Sequence, residues 1–179
     1  MKFNESKCLI AYFSHKGMNY TADGYQDLKK GNTEKAAEII HGLIGGDLLE
    51  IQAEQQYPFE YKECCDYAKN ELNENARPKL ANQLPDMSRY DVLFVGYPCW
   101  WGTMPMPVWT FLESVDLKGK LIMPFCTHEG RAMGHSERDL QKLLTASILH
   151  KGIPLRGSTV DESQKKIDMW LKAAEEIQA

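Results

Sequence analysis

The sequence predicts an α/β fold, a doubly wound, five-stranded parallel sheet with helices on both faces. Short apolar runs alternate with segments of helical period along the chain, which is the pattern of successive βαβ units. At 179 residues the chain has the length of one domain, enough for a sheet covered on both sides. A third observation locates the business end of such a sheet. The apolar run Asp91-Val92-Leu93-Phe94-Val95-Gly96 leads through Tyr97-Pro98-Cys99 into Trp100-Trp101-Gly102, two of the four tryptophans at one strand end. Open sheets of this class bind ligands outside the carboxyl ends of their strands.

Cys8-Leu9-Ile10-Ala11-Tyr12-Phe13 is the first strand, followed by a polar, glycine-bearing stretch from Ser14 to Asn32. Ala36, Ala37, Ile40, Leu43 and Ile44 fall on one helical face, and Gly45-Gly46 stops that helix. Leu48 to Ile51 is a short second strand. Tyr57 to Arg77, rich in Glu, Lys, Asn and Tyr, reads as an exposed helix, with a polar connector from Pro78 to Met87. Asp91 to Gly96 is the third strand. Met104-Pro105-Met106-Pro107 begins a helix, since a first turn tolerates proline, and Val108, Phe111, Leu112 and Val115 continue it on one face.

Lys120 to Cys126 makes the fourth strand, and the loop Thr127 to Gly134 follows. Ser136 to Leu149 reads as a helix with Leu140, Leu143, Leu144 and Ile148 inward, and Gly152 to Gly157 as the last strand. Asp161-Glu162-Ser163-Gln164 has capping-box spacing before a helix burying Ile167, Trp170, Leu171 and Ile177. Five strands and five helices fit a single domain over 1–179, without repeat or low-complexity segment.

Composition narrows the function classes. A formal charge of -4 argues against a nucleic-acid surface. No apolar run reaches the length of a membrane span, and Met1 to Lys7 leads into the first strand without a signal-peptide pattern. Five cysteines are an odd number, Cys64 and Cys65 are adjacent, and no metal-ligand spacing occurs. Reduced thiols and a cytoplasmic location are expected.

Three strand ends of such a sheet open onto one crevice. The first offers Ser14-His15-Lys16-Gly17 and then Gly31-Asn32-Thr33 at a helix start. Hydroxyls, an amide and free helix N–H groups suit a phosphate; Asn32 or Thr33 acting only as a helix cap is the alternative. Neither the G-x-G-x-x-G nor the G-x-x-x-x-G-K-[ST] pattern is present. The second end carries Pro98, Cys99, Trp100, Trp101 and Gly102, whose indoles either stack on a flat ring or plug a gap in the core. The third, Thr127-His128-Glu129-Gly130-Arg131-Ala132-Met133-Gly134, offers a hydroxyl, an imidazole, a carboxylate and backbone amides to the polar edge of a ring. His128 as a general acid stands against a neutral hydrogen-bonding role. A single phosphate, a polar chain and a broad ring describe one cofactor, flavin mononucleotide (FMN).

With Tyr12-Phe13-Ser14, Gly31-Asn32-Thr33, the run from Gly96 to Pro105, Thr127-His128-Glu129-Gly130 and Trp170-Leu171, the chain resembles the flavodoxin family, specifically bacterial flavodoxin-like FMN proteins. The similarity covers nearly the whole chain, and Tyr97-Pro98-Cys99-Trp100-Trp101-Gly102-Thr103 is its most specific run. The resemblance implies strand order 2-1-3-4-5 and FMN across the strand ends. Ser14, Asn32 and Thr33 would hold the phosphate, Trp100 and Trp101 flank the isoalloxazine, and the Thr127 to Gly130 amides meet its pyrimidine edge. The family's phosphate loop is continuous, whereas here an insertion at 18–30 parts Ser14 from Gly31, and either folds away or covers the phosphate.

No amino-acid nucleophile is required, since the flavin carries the chemistry. The resemblance implies electron transfer between redox partners, with a partner protein as donor. The alternative is an NAD(P)H:quinone-type oxidoreductase acting on a small quinone and a nicotinamide. Typical carriers of this fold are more acidic than a charge of -4, which weakens the carrier reading. An FMN-free signalling module would need acidic residues where Tyr12-Phe13-Ser14 stand. A homodimer is among the assemblies left open.

Overall fold

The computed structural model describes residues 2–177, so Met1, Gln178 and Ala179 of the expected domain lie outside the described residues. Its elements are β1 (Cys8–Tyr12), β2 (Gly17–Thr21), β3 (Gly24–Leu28), α1 (Asn32–Ile44), β4 (Asp47–Glu50), α2 (Tyr61–Asn73), β5 (Val92–Pro98), α3 (Met106–Ser114), β6 (Leu121–His128), α4 (Ser136–Leu143), β7 (Ile148–Leu149), β8 (Ile153–Arg156) and α5 (Gln164–Ile177). The main sheet runs β4-β1-β5-β6, and β7 and β8 both pair with β6. Every pairing in it is parallel, with Ile10 opposite both Leu48 and Phe94, and Phe94 opposite Met123. Counted by position this is the expected 2-1-3-4-5 order, its last position shared by two short pieces.

Central strands buried on both faces read as continuous apolar runs, and β1, β5 and β6 do. Side chains alternate between two cores. Cys8, Ile10 and Tyr12 join Ala36, Ala37 and Ile40 of α1 and Ile167 and Leu171 of α5. Leu9, Ala11 and Phe13 join Val108 and Phe111 of α3 and Leu140 of α4. At Gly96 the strand needs glycine for space: an added Cβ would stand 2.1 Å from the buried Phe125 ring.

Several local expectations are corrected. The insertion forms an antiparallel hairpin, β2 paired with β3. The chain reaches β1 through a 3-10 turn at Phe3–Glu5, whose Phe3 packs on Phe94. The helix expected over Tyr57 to Arg77 is confined to α2. α4 ends at Leu143 instead of Leu149, because Ile148 N–H and His150 N–H donate to Lys120 and Ile122 carbonyls on the open edge of β6. Leu140 and Leu144 are buried as expected, whereas Ile148 is 61% exposed. Ile177, at the far end of α5, is also exposed. No capping box forms: residues Gly157–Glu162 make a 3-10 helix, and Asp161 accepts from Lys35 Nζ at 2.8 Å.

Candidate functional site

The chain leaves β1 toward β4 on one side and β5 on the other, so the sheet's switch point lies between β1 and β5. Above it the ends of β1, β5 and β6 meet in a crevice. Its main cavity, about 490 Å³, is walled by Trp100, Trp101, Tyr61, Cys65 and Arg131. An adjoining recess of about 130 Å³ is walled by Asn32, Thr33, Thr127 and Gly157. His15, Asn19, Tyr20, Cys99, His128 and Glu129 line both.

The recess is built at the start of α1. Gly31 is the helix N-cap and has no side chain to offer, so Ser14 Oγ caps from across the loop, accepting from Glu34 N–H at 3.1 Å. A Cβ on Gly31 would stand 2.2 Å from that oxygen and 2.7 Å from the His15 carbonyl. Only glycine lets the two halves of the interrupted loop close on each other. The buried hydroxyls of Thr33 and Thr127 lie 2.7 Å apart and tie the helix start to the end of β6. The first-turn N–H groups of a helix and its dipole favour an anion. Lys16 turns out of the crevice toward Glu34 (3.4 Å) and Glu50 (3.8 Å). It thereby pairs with the acid of the helix's first turn.

The tryptophans are separated by a tight turn. Trp100 and Thr103 exchange both backbone hydrogen bonds, at 3.0 and 3.1 Å, and Trp101 and Gly102 between them have φ of 53° and 85°. Positive φ at both central residues is what a type I′ turn requires. Trp100 is half-buried, edge-on to Tyr57, Phe13 and His15 with centroids 5.1, 5.3 and 5.7 Å away. Trp101 is 44% exposed; its Nε1 donates to the Cys65 carbonyl at 3.0 Å, and Lys69 Nζ lies 4.6 Å from its ring. One indole is therefore largely core and the other largely wall. Gly102 does not line the cavity; its carbonyl accepts from His135 N–H at 2.7 Å and fixes the turn.

In the third loop His128 Nδ1 accepts from Gly130 N–H at 3.0 Å, so a neutral ring carries its proton on Nε2. Burial lowers its pKa from the ordinary 6.5. Glu129 lines the crevice, but Oε1 accepts from both the N–H and the hydroxyl of Ser158, at 2.6 and 2.7 Å. Cys99 is an acidified thiol on the crevice wall. Its pKa is lowered to about 7, first by the hydrogen bond from the Cys126 thiol, then by Gly102 N–H and Arg131, with burial opposing them.

Of the residues singled out in the sequence, Asn32, Thr33, Pro98, Cys99, Trp100, Trp101, Thr127, His128, Glu129 and Gly130 line the crevice. Ser14, Gly31 and Gly102 shape it from behind, and Lys16 faces elsewhere. Arg131 of the third loop lines it as well, while sequence reasoning missed Tyr20, Tyr61, Cys64, Cys65, Ala68 and Gly157. For Tyr20 and Tyr61 the only signal was the run of tyrosines in the insertion and α2, and nothing in the chain said which way those segments would fold. The donor set fits a ligand with a flat ring, a polar edge and a terminal phosphate. His15 Nε2, buried without a partner, is a spare hydrogen-bonding atom on the shared wall. No metal-holding cluster occurs among the described residues.

No curated protein matches the chain significantly. Among solved structures it is similar to a candidate flavoprotein of Bacteroides eggerthii DSM 20697 at 31% identity, over 94% of this chain and 98% of that one, with a TM-score of 0.75. A candidate flavoprotein of Bacteroides uniformis ATCC 8492 shares 26% identity over 91% and 98%, with a TM-score of 0.72. The Lactobacillus acidophilus NCFM flavoprotein, solved in complex with FMN, shares the fold at 20% identity over 92% and 98%, with a TM-score of 0.66. The family model for flavodoxin matches residues 7–174. With that match over nearly the whole chain, on a sheet of this order, the protein belongs to the flavodoxin family.

Proposed function

We propose that the protein binds one FMN noncovalently in the crevice and acts as an electron-transfer flavoprotein between redox partners. The observation that carries this reading is the juxtaposition, at the sheet's switch point, of the α1 helix start with an indole-walled cavity. Family membership and the FMN complex of the Lactobacillus acidophilus flavoprotein support the choice of cofactor. Asn32, Thr33 and the first-turn N–H groups would hold the phosphate, Trp100 and Trp101 the ring, and the backbone of Thr127 to Gly130 its polar edge. When bound, FMN supplies the redox chemistry. The chain binds it, keeps water from one ring face and sets the charge around it. No helix among the described residues is long and apolar enough to cross a membrane. Five free cysteines suit a reducing compartment such as the cytoplasm.

Purified protein should be yellow and release FMN on denaturation; colourless protein that cannot be reconstituted with FMN overturns the reading. A specific observation favours a second role, that of a quinone-type reductase. Tyr20, on the crevice wall, and its neighbour Tyr25 are exposed and packed with Tyr61 at centroid distances of 5.0–6.3 Å, a surface of rings suited to a small planar acceptor. The carrier reading expects no steady oxidation of NAD(P)H with a soluble quinone unless a separate reductase is added. Sustained turnover by the protein alone would select the reductase.

A further inference from the structure

The hairpin made by the insertion is a strap across the crevice. At its base Met18 N–H donates to the Phe59 carbonyl at 3.1 Å, just before α2. Gly17 lies so close beneath that residue that a Cβ would be 3.0 Å from the Phe59 ring. At its tip, Thr21 Oγ1 donates to the Gly24 carbonyl at 2.8 Å and accepts from Asp23 N–H at 3.2 Å. Within that turn Ala22 N–H donates to Ser158 Oγ at 2.8 Å, and the same Ser158 is held by Glu129. The strap is thus fastened on both sides, to the approach to α2 and to the segment after β8.

Between the fastenings, Asn19 and Tyr20 form the outer wall of the recess that holds Asn32 and Thr33. The far wall is equally close: a Cβ on Gly157 would stand 2.4 Å from Asn32 Nδ2 and 2.8 Å from Glu129 Oε1. The recess between these walls is about 130 Å³. That space suits a terminal phosphate, and a nucleotide continuing beyond it has to pass between the strap and the Gly157 segment.

We infer that this hairpin, latched through Ser158 to Glu129, is the specificity-determining element of the site. It selects flavins that end at the phosphate over dinucleotide flavins that extend past it. The inference rests on the FMN reading and names what enforces it. An extended ligand has to lift the strap and break the Ala22–Ser158 bond; a ligand that ends at the phosphate leaves the latch closed.

The test measures dissociation constants for riboflavin, FMN and FAD by flavin fluorescence in the wild-type chain, in Ser158→Ala, and in a chain whose residues 20–26 are replaced by two glycines. Each variant's FMN and FAD affinities are read against its own riboflavin affinity, which removes general effects on folding or on the ring cavity. The wild type should prefer FMN to FAD. Both variants should narrow that preference, the shortened hairpin by tenfold or more, and FMN should leave them faster. Ser158→Ala should leave riboflavin binding unchanged. If the wild type binds FMN while the FMN-to-FAD ratio is the same in all three proteins, the hairpin is only a cover and the inference falls. Wild type that binds none of the three flavins overturns the FMN reading itself, and this inference with it.

Discussion

Replacing the two tryptophans one at a time separates the indole that builds the fold from the one that faces the ligand. Trp100 touches Phe13, Tyr57 and His15 edge-on, and each such aromatic pair is worth about 0.5–1.5 kcal/mol. A fully buried Trp→Ala change costs about 3–5 kcal/mol; for a half-buried ring roughly half of that applies. In a domain of this size about 1 kcal/mol moves the melting point by roughly 2–4 °C, so Trp100→Ala should melt roughly 4–8 °C lower. Trp101→Gly is a different experiment. It loses the bond to the Cys65 carbonyl, about 0.5–1.5 kcal/mol, and the contact with Lys69, about 0.5–1 kcal/mol at an exposed site. It also relieves a bulky residue held at φ 53°, a strain of roughly 1–2 kcal/mol that glycine does not carry. These nearly cancel, and the melting point should move by no more than about 3 °C. Loss of one stacking face should nonetheless weaken FMN by roughly two- to tenfold. Differential scanning fluorimetry and FMN titration of both variants make the check. If Trp101→Gly destabilises the fold as much as Trp100→Ala, and FMN affinity tracks stability alone, both indoles are core and the division of roles is wrong.

Three other outcomes follow from the same geometry. Gly96→Ala should cost about 1–3 kcal/mol, because the new methyl meets the interior Phe125 ring and overpacks a filled core; an unchanged denaturant midpoint would contradict that contact. Thr33→Ala removes one of two paired buried hydroxyls and should weaken FMN by roughly ten- to a hundredfold while riboflavin loses far less. Equal losses for both ligands would show that the change acts through folding. Iodoacetamide should alkylate one thiol with a rate rising through about pH 7, and Cys99→Ser should abolish that phase. The folded thiol ionises below its ordinary 9.0, so its contribution to stability is complete above about pH 9 and is lost as pH falls through about 7. A fast phase that survives in Cys99→Ser would assign the reactivity to another cysteine.

Sequence alone determined the sheet, because burial on two faces writes itself as unbroken apolar runs at β1, β5 and β6. It also located the three strand ends of the crevice, since those ends are local. What it misjudged were competitions between local preference and distant partners. Residues 144–149 continue a helical pattern, yet the unpaired edge of β6 captures Ile148 and Leu149 as β7. Lys16 sits in the loop beside an expected phosphate, yet two carboxylates brought in by α1 and β4 turn it away. Only the tertiary structure decided that the insertion crosses the crevice instead of folding away. That path is held by the Phe59 carbonyl at one end and Ser158 at the other. Ser158 lies 136 positions from its partner Ala22, and no periodicity along a chain encodes a contact of that range. Hydrophobic pattern fixes which faces are buried. Which polar loops meet above them depends on where the buried faces have already placed the strand ends.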